Sequence, residues 1–275
     1  MTMAAILAPR SVESWARRLG EPEIPVMRRT VRALARLRQD EELADSHGIA
    51  RIVLGDPLMT LKVLRRIVAR RSRRIVTDTE TITAAVLLLG VPPFFREFDG
   101  QAVVEDCFAG RVDQFRGMLE LLRRSRRAAL LAVGLAVQRQ DADTELIYEA
   151  AMLDEFTSLL LWCHEPDLAA EIARRQRADA GLRSTRVQLD LLGVELAPVQ
   201  QLLLKRWQMP TALISLTDPH DRTPRARNVR LAVQLARHLD GGWENPAIPD
   251  DLDEIAALLN MSAAATRRKV EEILA

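Results

Sequence analysis

The sequence predicts an all-α protein. Three observations carry this. Apolar residues recur at three- and four-residue spacing along most of the 275 residues. Cap residues open the periodic runs, and glycines close several of them. No stretch shows the alternation of apolar and polar residues that a half-buried strand requires. Aromatic residues are only 4% of the chain. That argues against a β-sandwich, and against a nucleic-acid groove built on stacking aromatics.

The elements follow in order. "IPVMRRTVRALARLRQ" sets Val26, Val31, Leu34 and Leu37 on one face with arginines between them, which is an amphipathic helix. "DPLMTLKVLRRIVAR" opens with Asp56 as N-cap and Pro57 at the first helical position. "TDTETITAAVLLLG" has a Thr/Asp cap and stops at Gly90, and "VPPFFREF" is a short Pro-started helix or turn. Residues 111–140 read as one long helix whose apolar second half belongs in the core. "DTELIYEAAMLDEFTSLLLWC" reads as the next long helix, with Asp154 and Glu155 inside an apolar run, and "EPDLAAEIARRQRA" follows it. "STRVQLDLLG", "ELAPVQQLLLKRW" and "MPTALISL" are three more, and "PRARNVRLAVQLARHLDGG" ends at Gly241–Gly242. The tail, 250–274, makes two short helices. A break falls at "FDGQAV", 98–103.

Composition narrows the function. The net charge of +1 gives no global field to attract nucleic acid or an anionic membrane. The positive charge is nearly all arginine, the lysines being Lys62, Lys205 and Lys269. Cys107 and Cys163 lie far apart and form neither a disulfide framework nor a CxxC pair. "MTMAAILAPR" lacks the pattern of a secretory leader, and no apolar run approaches the roughly 18 residues that span a bilayer. A soluble cytoplasmic protein is expected.

Common catalytic signatures are absent: no GxxxxGK, GxSxG or HExxH occurs. His47, His164, His220 and His238 have no ligand spacing and read as surface or helix-end residues. "RRSRR" occurs twice, at 70–74 and 123–127, without aromatic partners, which fits solvated helix ends better than a nucleic-acid patch. In the tail, Asn260-Met261-Ser262 resembles the turn of a helix-turn-helix reader, with Arg267, Arg268 and Lys269 placed for phosphate. Its acidic first helix and Glu271–Glu272 favour instead a hairpin packed through Ile255, Leu258, Leu259, Met261 and Val270.

The order of segments then resembles a known family. "IPVMRRTVRALARL", "GIARIVLGDPLMTLKVLRRI" and "TITAAVLLLGVPPF" resemble the N-terminal lobe of HDOD domains, all-helical bacterial signalling modules related to the HD phosphohydrolases. "AAMLDEFTSLLLW" with "EPDLAAEI", and then "LLGVELAPVQQLLLKRWQMPTALI", resemble the segments that follow, so the likeness covers about residues 24–240. It implies one HDOD-like domain over 1–275, with an N-terminal helical lobe at about 22–100 packed on a degenerate HD-like bundle with a C-terminal helical hairpin at 101–275.

The departures from the family pattern point to lost chemistry. The metal-binding histidine of HD enzymes falls on Arg124, their His-Asp dyad on Asp154-Glu155, and their late aspartate on Val233. The Asn-Ser pair frequent in HDOD lobes is absent around Ala69 to Ser72. Adjacent carboxylates on one helix diverge by about 100°, and an arginine beside them opposes a cation. The resemblance therefore implies no bound metal, no cofactor and no enzymatic activity. The expected function is regulation through contacts with signalling proteins, without nucleic acid or membrane. Two alternatives stand: a divergent phosphohydrolase or phosphate-binding relic, and a DNA-binding regulator using the tail. At the former site an Arg124–Asp154 ion pair is expected, with Glu155 as the other acceptor, because a bare carboxylate on an apolar face is costly.

Overall fold

The computed structural model describes residues 11–39, 45–70, 81–179 and 182–275. It is all-α, and the extended pairing among the described residues is a single bridge between Val26 and Val103. The first "RRSRR" string and the caps expected just before Ile82 fall largely outside the described residues. The chain groups into two compact units that do not follow chain order. Unit one takes the described residues of 1–77, 82–121 and 155–209. Unit two takes Thr81, 122–154 and 210–275 from the described residues.

Unit one begins with α1 (Val12–Gly20), capped by Ser11, whose hydroxyl accepts from Ser14 N–H at 3.2 Å. Helix α1 buries Trp15 and Leu19, and the Trp15 indole donates to the Leu192 carbonyl at 3.0 Å. Next come α2 (Arg28–Gln39), α3 (Ser46–Val53), α4 (Pro57–Arg70), α5 (Ile82–Leu89), α6 (Val91–Glu97) and α7 (Val104–Cys107). The Asp-Pro start of α4 holds more than its own helix. Asp56 is fully buried; one carboxylate oxygen accepts from Leu58 N–H and Met59 N–H, at 3.1 and 3.3 Å. The other accepts from Met27 N–H at 2.9 Å and the Thr30 hydroxyl at 2.7 Å, tying the N-terminus of α4 to that of α2. The expected break at 98–103 is a turn through Gly100 at φ 63°, and the chain then pairs Val104 N–H with Val26 O at 2.9 Å.

The expected long helix is present as α8 (Val112–Gln138), and it contributes to both groupings, its residues up to 121 to unit one and the rest to unit two. In unit one its Gly117 lies under the Trp162 ring, where a Cβ would sit 2.7 Å from Cζ2. Unit one continues with α10 (Phe156–His164), α11 (Pro166–Ala178), α12 (Ser184–Leu192) and α13 (Leu196–Arg206). Helix α10 is its centre: Phe156 and Thr157 and then Leu159 through Cys163 are all buried, packed by α1, α4, α7, α11 and α13.

Unit two holds the second half of α8, α9 (Thr144–Leu153), α14 (Thr211–Leu216), α15 (Pro224–His238), α16 (Ile248–Leu259) and α17 (Ala263–Leu274). Helix α15 starts at the Thr223 cap and runs antiparallel to α8. Asn228 Nδ2 donates to Ala132 O at 3.0 Å, and Arg127 Nη1 to Ala236 O at 3.2 Å. Helix α15 ends in a 3₁₀ turn, Leu239–Gly241, before Gly242 at φ 81°. Helices α16 and α17 form the predicted hairpin, turned by Asn260 in the left-handed region and capped by Ser262.

One expected element is corrected. The single long helix read over 143–163 is two helices, α9 and α10, interrupted at Asp154 and Glu155. Glu155 has φ −115° and ψ 26°, outside helical geometry. The apolar pattern continues through the interruption because both helices are buried nearly all round, so periodicity carries no mark of the stop.

Candidate functional site

The candidate site is the place to which the sequence resemblance assigns the former metal positions, Arg124, Asp154, Glu155 and Val233, which lie on or at the ends of α8, α9, α10 and α15. Helix α8 brings Arg124 and Arg127 to the 3₁₀ turn after α15. There Arg127 Nη1 donates to Asp240 Oδ1 at 2.8 Å, and Arg124 Nη1 to Asp240 Oδ2 at 3.3 Å. One carboxylate thus receives two guanidinium groups whose side chains are only 23% and 31% exposed. Val233, two turns before Asp240 on α15, is buried and apolar. Asp154 is the residue that ends α9, and Glu155 is grouped with unit one as the residue before α10. Since the helix stops between these two, the 100° divergence expected from a continuous helix does not apply to them.

Two acids of this region were not singled out in the sequence. Asp240 lay in "LDGG", where the glycines read only as a helix stop. Glu149 lies in the same apolar run as Asp154 and is fully buried. The signal that drew attention to Asp154 applied to it equally. Its neighbour Tyr148 has its hydroxyl pKa pushed up by burial, with Arg126 opposing and Glu149 adding to the shift.

The donor set does not fit a divalent metal. At the positions that the resemblance assigns to metal ligands, a guanidinium and a valine accompany the carboxylates Asp154 and Glu155, and the nearby Asp240 carboxylate already serves two arginines. Among the described residues no group of three or more His, Cys, Asp or Glu is placed to hold an ion.

Other features with binding character are satisfied within the chain. A cavity of about 470 Å³ opens beside the start of α15, lined by Arg139, Arg225, Ser215 and Thr223 over Leu146 and Leu216. Its arginines are neutralised, Arg139 by Asp141 at 2.9 Å and Arg225 by Asp143 at 3.2 Å. In the tail, Arg267 pairs with Glu271 at 3.0 Å and lies over the Trp243 ring, and Lys269 pairs with Glu272 at 3.2 Å. His238, read as a helix-end residue, also holds the hairpin: its Nδ1 is 2.6 Å from Asp251 Oδ2, and Gln234 donates to the other oxygen at 2.7 Å. Among the described residues no helix is long and apolar enough to cross a membrane.

Known proteins place this geometry. No curated protein matches the chain. Two crystal structures share the fold at 18% identity. The MmoQ response regulator of Methylococcus capsulatus str. Bath has a TM-score of 0.67, with 92% of this chain and 99% of that one covered. A virulence factor of Campylobacter jejuni subsp. jejuni has a TM-score of 0.65, with 96% and 98% covered. The HDOD domain model matches residues 24–223, within the span over which the segment order was recognised. An all-α chain with that order of helices, and that match over most of its length, belongs to the HDOD domain family.

Proposed function

We propose that this HDOD domain is a non-catalytic regulatory module that works by contact with other proteins, its ancestral metal site filled by its own charges. The observation that carries the reading is the pair of arginines on Asp240, at a place where metal-assisted hydrolysis needs ligands and an activated water. The similarity in fold to a response regulator supports a signalling role. In this reading Arg124 also pairs with Asp154, with Glu155 as the other acceptor, so that a guanidinium stands where an ion would have to bind. A guanidinium has five N–H donors in a planar fork, enough to serve two carboxylates. A cytoplasmic location belongs to the same proposal.

The test is direct. Protein purified with added manganese is expected to carry no stoichiometric metal by elemental analysis and to leave a chromogenic phosphodiester uncleaved. Stoichiometric metal together with turnover refutes the reading. For the ion pair, a double-mutant cycle with Arg124→Ala and Asp154→Ala is expected to show a coupling of about 1 kcal/mol or more in urea unfolding. Additivity within about 0.3 kcal/mol removes the pair from the proposal.

A further inference from the structure

Helix α4 carries three basic residues in one turn and a half, and one of them lacks an acid. Lys62 pairs with Glu23 at 2.8 Å, and that ammonium holds the Glu23 carboxyl below its usual range. Arg66 pairs with Glu97. Arg65, between them, is half-buried and pairs with no carboxylate among the described residues. Burial alone lowers its pKa from the ordinary arginine value, with no nearby charge opposing the shift. What it has is an aromatic platform: its Cζ lies 4.7 Å from the centroid of the Trp207 ring. Trp207 is fixed in turn. It is the residue that ends α13, its N–H bonds Leu203 O at 2.9 Å, and its ring leans on Phe156 with centroids 5.7 Å apart. Gly20 of α1 leaves room at the ring edge, where a Cβ would stand 3.4 Å from Cζ2.

A guanidinium attracted to an indole face through its cation–π contact still has five N–H donors to offer a carboxylate. Partial burial without a counter-ion is unfavourable, and the stacking offsets only part of that cost. Two more cations directly precede Trp207 in the chain: Lys205 and Arg206, the last residues of α13, are exposed and make no ion pair among the described residues. We propose that Arg65 on Trp207 is the anchor for an aspartate or glutamate side chain of an acidic segment in a partner protein, with Lys205 and Arg206 steering that segment in. This rests on the reading of the chain as a protein-contact module and names one contact. A carboxylate suits the site better than a phosphate. The platform sits at the C-terminal end of α13, where the helix dipole opposes a dianion, and no helix N-terminus contributes N–H donors.

The experiment uses the full chain and a blocked hexaglutamate peptide, followed by tryptophan fluorescence and calorimetry, with inorganic pyrophosphate as the parallel arm. Saturable binding of the peptide is expected, weakening with salt. Arg65→Gln is expected to lower affinity at least about 10-fold, the loss of a charge-assisted pair of hydrogen bonds. Arg65→Lys keeps the charge without the fork and is expected to fall between the two. Because Arg65→Gln also removes the stacking, its fold is checked by thermal melting. Lys205→Gln/Arg206→Gln, both at exposed positions, is a second variant, expected to flatten the salt dependence without a change in melting. Equal peptide affinity for the wild type and a folded Arg65→Gln overturns the proposal, and so does binding of pyrophosphate in preference to the peptide. If a protein that co-purifies from the native cell still binds Arg65→Gln undiminished, this anchor is wrong while the protein-contact function stands.

Discussion

Asp56 shows how a residue readable as a local signal acquires a second role through tertiary structure. The Asp-Pro pair announces an N-cap, and the Leu58 and Met59 N–H bonds bear that out. The Met27 and Thr30 bonds come from a different helix, and nothing in the sequence near Asp56 marks them. Asp56→Ala leaves these buried donors unpaired, at about 1–3 kcal/mol each, so a loss of at least about 3 kcal/mol is expected in urea unfolding. Asp56→Asn keeps one accepting oxygen for the α4 cap and is expected to cost less. Burial also raises the Asp56 carboxyl above its ordinary 3.8, despite the four hydrogen bonds that lower it. The native state then holds the proton more tightly than the unfolded chain. The contribution of this group to stability therefore declines as pH rises from 3.8 toward the raised native value, and the slope disappears in Asp56→Asn. Gly117 was invisible to sequence reasoning for a related reason, since the Trp162 ring that covers it is 45 residues away in the chain. Ala is the better helix former by about 1 kcal/mol. Even so, Gly117→Ala is expected to destabilise by about 1–3 kcal/mol, because a rigid ring must move.

Among the elements, length and capping decided what was legible. The 27-residue α8, the Pro-started α15 and the Asn260 hairpin stand where the periodicity puts them. Helices α1 and α3, of 9 and 8 residues, are not among the elements that the sequence pattern predicts. The stop at Asp154–Glu155 was hidden because burial on all sides erases the amphipathic stripe. That stop changed the candidate site. Arguments from helical spacing across residues 150–161 fail there, and Asp240, just before the predicted Gly241–Gly242 stop, is an acid that meets Arg124. Helix α11 offers a pH test of its own. Arg174 and Arg175 hydrogen-bond Glu171 and lower its pKa from 4.5 to about 2. Whatever stability this contributes is present above 4.5 and is lost as pH falls toward 2. Glu171 is partly exposed and its partner Arg174 largely so, and the effect is expected to stay below about 1 kcal/mol and to shrink in high salt. A carboxyl titration followed by NMR, with its midpoint near 2 at low salt, is the measurement.

For the whole molecule, the order of segments was enough to identify the family, while the grouping of those segments was not. A turn at Gly100 suggests a boundary, and the turn is there. Turn chemistry says nothing about which stretches pack together, and 101–121 and 155–209 group with the N-terminal residues. Protein lacking residues 1–100 is therefore expected to lose native structure in unit one. It would lack Trp15 for the Leu192 carbonyl and Val26 for Val104, and α10 and α13 would lose the apolar face of α1. Thermal melting by circular dichroism checks this: a full-length-like cooperative transition in the 101–275 fragment counts against the interleaved grouping. The same interleaving governs how a binding surface on this protein can be mapped. Serial deletion from either end removes helices that complete a unit's core before it removes a contact. A vanished interaction in such a series would report collapse of the scaffold, and only single substitutions at exposed positions, with the fold checked for each, can trace the footprint of a partner.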